Sequence, residues 1–145
     1  MSSWVESYRG VVTAGEYDAE ASMNSSLYVT RFDQATWMLL HEVGMTPAGL
    51  RADGQRIAVF RQYYRFLREL RGGDLVVIRS AFIAVSARHA RFIHRMTDRA
   101  DGTLVATADY TGGLASLTTQ QTVPLPEAVR VKAEAMVIRE AAEPA

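Results

Sequence analysis

The sequence predicts an α+β domain in which one long helix is covered by an antiparallel sheet. Two patterns carry this reading. Apolar residues at Tyr28, Phe32, Ala35, Leu39 and Val43 recur at helical spacing, and the second half of the chain is a run of β-branched and aromatic segments separated by short turns. Composition agrees: 145 residues, 48% apolar and 22% charged, suit one globular domain over 1–145.

Residues 5–13 (VESYRGVVT) read as a first strand ending at Gly15. Asn24, Ser25 and Ser26 then offer N-caps to a helix that Gly44 terminates. Leu27, Trp37, Met38 and Leu40 widen its apolar surface, so a helix buried on most sides is expected. Residues 45–54 (MTPAGLRADG) read as a loop. Over residues 57–70 the helical and strand periods both fit. DLVVIRSAFIAVSA, RHARFIHRMTD and GTLVATADYTGGLASL read as long strands, the last after a turn at Asp101-Gly102. Pro126 suits the start of a short amphipathic helix. A sheet face not used on the helix, or a free edge, is expected to stay polar or to meet a second subunit.

With no cysteine, thiolate metal sites, iron–sulfur clusters and thiol nucleophiles are excluded. MSSWVESYRG lacks an apolar signal core and no apolar run reaches the roughly 20 residues of a membrane span, so a soluble, cytoplasmic protein with no membrane partner is expected. Net charge is zero, yet residues 51–99 hold eleven arginines against four acids. Such a segment suits either a solvated sheet face or a phosphate-bearing partner. Nucleic acid is not expected. Phosphate-binding loops, GxGxxG, GxSxG and HExxH are all missing. His89 and His94, five apart in a strand, point to opposite faces and hold no metal together, and His41 suits a helix end.

The joint before the central helix, EYDAEASMNSS at 16–26, is where chemistry is expected. There Asp18 precedes a helix N-terminus whose N–H groups can stabilise an oxyanion, although an acid at that place also simply complements the helix dipole.

Residues 8–47 resemble the acyl-CoA thioesterase family of the hotdog fold, related to hydroxybenzoyl-CoA thioesterase. The family's DxxGHMN, then Y, F(D/E)xAT and a Gly-bounded helix end are matched at Asp18, Met23, Asn24, Tyr28, Phe32, Asp33, Ala35, Thr36, Trp37 and Gly44. Thr46-Pro47, RGGD at 71–74, RFIHRM at 91–96 and PLPEAV at 124–129 extend the likeness. Ala21-Ser22 replaces the family's Gly-His.

The resemblance implies a curved sheet wrapped around one helix, residues 57–70 as a strand, and a homodimer or homotetramer with sites at the interface. It implies hydrolysis of an acyl-CoA or acyl-carrier-protein thioester without a cofactor. Asp18 is implied as nucleophile or general base, with Asn24 beside it and the Ser25 N–H as oxyanion donor. Tyr28, Phe32 and Trp37 are candidates for the acyl pocket, and Arg88 and Arg91 for CoA phosphates. The altered motif also fits a hotdog module that binds acyl thioesters or a protein partner without turnover. A dehydratase or hydratase would pair a histidine with its acid, and none lies near Asp18 in sequence.

Overall fold

The protein is described by a computed structural model over residues 3–13 and 25–138. Strand β1 (Val5–Val11) precedes the central helix α1 (Ser25–Glu42) and a short helix α2 (Pro47–Ala52). Then follow β2 (Gln55–Phe66), β3 (Leu75–Val85), β4 (Ala90–Asp98), β5 (Leu104–Ser116), the two-residue β6 (Thr122–Val123) and helix α3 (Glu127–Ala135). The strands form one antiparallel sheet in the order β1-β3-β4-β5-β2. Strand β6 pairs Leu114 and Ala115 of β5, beyond the point where β4 has ended.

Helix α1 stops where its sequence says it should. Gly44 takes φ +84°, its N–H donates to His41 O (3.0 Å), and Met45 N–H donates to Leu40 O (3.0 Å). Those two bonds and that left-handed residue form a Schellman cap. The stripe Tyr28, Arg31, Phe32, Ala35, Thr36, Leu39 and Leu40 is buried. Expected burial on most sides is corrected: Trp37 and Met38 are 37% and 48% exposed, because one sheet covers only one stripe of the helix.

The expected loop at 45–54 contains α2 instead. Thr46 Oγ1 accepts from Gly49 N–H (3.1 Å) and Pro47 begins the helix, a cap and first residue that outweigh the turn-forming composition. The ambiguous 57–70 segment is strand over Gln55–Phe66, and Pro126 stands immediately before the first residue of α3, without a side-chain capping bond. The core lies between α1 and the inner sheet face, built from Phe32, Leu39, Val76, Ile78, Phe82, Met96, Ala108 and Tyr110.

Register sorts the remaining side chains. Tyr64 opposes Ala108 and Gln62 opposes Tyr110 on the inner face, so Arg61, Tyr63 and Arg65, opposite Thr111, Asp109 and Thr107, face away from α1. Arg91 and Arg95 of β4 oppose the same Thr111 and Thr107. Four of the arginines from the middle of the chain, Arg61, Arg65, Arg91 and Arg95, therefore share the outer face.

Candidate active site

Two tethers hold the start of α1. Buried Tyr28 accepts from Leu70 N–H (2.8 Å) and donates to Arg68 O (3.1 Å), tying the first turn to the segment after β2. Burial raises the Tyr28 pKa, so its hydroxyl stays protonated. On the other flank, buried Arg31 donates to Leu27 O (3.3 Å) and to Val11 O (3.4 Å) at the end of β1, and its guanidinium lies 5.7 Å from the centre of the Tyr8 ring.

Between these tethers the helix end opens on a cleft of about 320 Å³ lined by Ser25, Tyr28, Phe66, Leu67, Arg68 and Glu69. The first turn carries no acidic side chain, so nothing on it offsets the positive end of the helix dipole. Arg68 adds a fixed cation. It pairs with Asp98 and, at 3.2 Å, with Asp101, and these partners hold it at the cleft wall. Hydrogen bonds from Thr103 and Arg68 lower the Asp101 pKa, keeping it ionised.

Of the sequence-derived site residues, Asp18 and Asn24 lie outside the described residues, as does the Ala21-Ser22 departure. Ser25 is the first residue of α1 and lines the cleft. The three candidate pocket aromatics do not converge. Tyr28 borders the cleft, Phe32 is fully buried against the His94 and Tyr64 rings, and Trp37 is exposed farther along the helix. Arg88 donates to Thr122 O (3.1 Å), and Arg91 grips Asp109 through Nε–Oδ1 (3.0 Å) and NH2–Oδ2 (2.6 Å). Neither borders the cleft of its own chain.

Sequence reasoning missed two polar clusters. Tyr64 donates to Tyr110 (2.8 Å), because the Tyr110 proton is given to Asp33 Oδ1 (3.1 Å). Burial pushes the Tyr110 pKa up. The other cluster centres on His94, fully buried, with Nδ1 2.5 Å from Ser80 Oγ and Nε2 2.8 Å from Thr36 Oγ1. Burial holds its pKa down at about 3, so the ring is neutral near pH 7. Asp33, Thr36 and His94 all stand in segments that resemble the family, but sequence spacing did not bring them together.

A separate apolar pocket of about 40 Å³ lies at the other end of α1, between Leu40, Val43, Met45, Phe82, Phe92 and Leu114. Among the described residues, no group of histidines and carboxylates is arranged to hold a metal, and no helix is long and apolar enough to cross a membrane.

A single helix clasped by a curved antiparallel sheet of this order defines a hotdog fold. Residues 12–133 match the sequence model of the thioesterase-like superfamily, and the chain belongs to that family. None of the curated proteins matches it in sequence. Among solved structures it is similar to a Staphylococcus aureus protein in complex with CoA (TM-score 0.84, 16% identity, 89% of this chain and 81% of the other). It is also similar to a 1,4-dihydroxy-2-naphthoyl-CoA thioesterase from Synechocystis (TM-score 0.78, 14% identity, 87% and 93% covered). A third likeness is to the probable thioesterase YbaW of Escherichia coli (TM-score 0.74, 20% identity, 92% and 100% covered).

Proposed function

We propose that the protein hydrolyses an acyl-CoA or acyl-carrier-protein thioester at the α1 N-terminus. The observation that carries this reading is the cleft at Ser25, where a helix end without an acidic first turn meets the anchored Arg68 cation. Backbone N–H groups there favour the oxyanion that forms when a thioester carbonyl becomes tetrahedral. Asp18, seven residues before Ser25, supplies the carboxylate. As a base it takes a proton from water while the water oxygen bonds to the acyl carbon. The C–S bond then breaks and the leaving sulfur receives that proton, giving a carboxylic acid and a free thiol. As a nucleophile it forms a mixed anhydride that water cleaves to the same products. Asn24 is assigned to the same joint, and Tyr28 and Phe66 to the wall beside the acyl group.

The working form is proposed to be a homodimer, or a homotetramer built from it. Strand β2 is a sheet edge with Val59, Phe60 and Phe66 between 41% and 47% exposed, and an open apolar edge is a surface that a second copy would cover. Arg88 and Arg91 then meet CoA phosphates across the subunit boundary. The replacement of Gly-His by Ala21-Ser22 favours a second reading, a module that binds thioesters without turnover.

Thiol release from a panel of acyl- and aroyl-CoA esters and an acyl-carrier-protein thioester tests the proposal. Turnover of one or more members supports it. Binding without release supports the second reading, and neither binding nor release contradicts both.

A further inference from the structure

The outer face of the sheet carries a second concavity, and its chemistry differs from that of the α1 cleft. It has a volume of about 300 Å³ and is lined by Arg61, Tyr63, Arg91, Asp109 and Thr111. Such a volume is at the lower end of the range for small-ligand pockets. Arg61 and Tyr63 are on β2, directly opposite Thr111 and Asp109 of β5, and Arg91 of β4 opposes Thr111 from its other side.

Each group offers a distinct kind of contact. Among the described residues Arg61 has no hydrogen-bond or ion-pair partner, so its planar fork is available for a phosphate. Tyr63 is 62% exposed, more than any other large hydrophobic side chain described, and presents a ring on which a flat base can stack. Asp109 has both oxygens held by Arg91 in a two-point pair, which fixes the carboxylate beside the ring while leaving it 30% exposed. A carboxylate so placed accepts from sugar hydroxyls. Arg65, two residues beyond Tyr63 on the same face, adds positive charge along the strand.

We infer that this concavity is a nucleoside-phosphate site, with the base on Tyr63, the ribose hydroxyls on Asp109 and the phosphate on Arg61. Two sources share this chemistry, a free nucleotide and the nucleotide end of a CoA thioester. The site is independent of whether the chain hydrolyses thioesters, since binding needs no turnover.

The test is calorimetric titration of the full chain with AMP, adenosine 3′,5′-bisphosphate, CoA, inorganic phosphate and a single-stranded oligonucleotide. Arg61→Ala and Tyr63→Ala are measured beside the wild type. Both substitutions are at exposed positions, and an unchanged melting temperature is expected for each. The expected result is nucleotide binding that Arg61→Ala weakens about tenfold. Tyr63→Ala weakens the nucleotides but leaves inorganic phosphate unaffected. Competition of AMP with CoA for the same variant-sensitive site assigns it to the coenzyme end, and independent binding of the two assigns it to a free nucleotide. The inference is overturned if no nucleotide binds up to about 1 mM. It is also overturned if neither variant changes binding, if inorganic phosphate binds as tightly as AMP, or if only the oligonucleotide binds.

Discussion

His94 Nε2 lies 2.8 Å from Thr36 Oγ1, a buried bond that joins strand β4 to the middle of the central helix. The other ring nitrogen meets Ser80, which in turn is 2.6 Å from Ser7, so one polar chain crosses from β1 through β3 and β4 to α1. Every member sits inside the core or at its edge, and rings of Phe32, Phe92 and Tyr110 pack around the imidazole.

Because the His94 pKa is about 3 in the folded chain and near 6.5 when unfolded, the unfolded state binds the extra proton first as pH falls. This contribution to stability is therefore fully present above pH 6.5 and is lost as pH falls from 6.5 toward 3. Denaturant unfolding between pH 6.5 and 5 is expected to show a loss of about 1 kcal/mol per pH unit from this group, shallow at pH 6.5 and steeper below it. In His94→Gln the slope over that window flattens. An equal slope in both proteins contradicts the neutral, buried assignment.

Thr36→Val keeps the volume of the side chain and removes the hydroxyl, leaving Nε2 buried without its partner. A cost of about 1–3 kcal/mol is expected by chemical denaturation, with Thr36→Ser recovering most of it. If valine is tolerated without loss, the bond contributes nothing.

The tyrosine chain gives an order rather than a single value. Tyr110→Phe removes the bonds to both Asp33 and Tyr64, whereas Tyr64→Phe removes only one. Tyr110→Phe is expected to cost about 1–2 kcal/mol and the other variant less. The reverse order in thermal unfolding would show that the chain does not run through Tyr110.

Subunit pairing is read from solution mass. Trp37, one turn beyond Asp33 on α1, is 37% exposed in one chain, a large aromatic that a second subunit would cover. Light scattering is expected to give a dimer or larger for wild type and a shift toward monomer for Trp37→Glu, without loss of helix or sheet signal. A wild-type monomer contradicts the assembly.

The sequence made the helix legible because α1 alternates apolar and polar residues at one period and closes on a glycine that needs positive φ. The strands from Leu75 onward were equally plain, being β-branched runs cut by short turns such as Asp101-Gly102. Residues 57–70 were not, since an edge strand exposed on both faces has no buried face to impose a period of two; only the family resemblance chose strand. Helix α2 was hidden by the proline and glycines that also mark loops. For the site, chain order shows that a helix start follows Asp18, but contacts such as Tyr28 with Arg68 and Leu70, or Asp33 with Tyr110, join positions some 40 to 77 residues apart and depend on strand register.

Carboxylate-assisted thioester hydrolysis at the start of α1, as proposed, is decided by Asp18→Asn, because the swap keeps side-chain size and removes the charge. Thiol release by wild type and variant is compared on the ester that wild type turns over best. A loss in kcat of about a hundredfold or more is expected with the fold unchanged. A variant as active as wild type would contradict it.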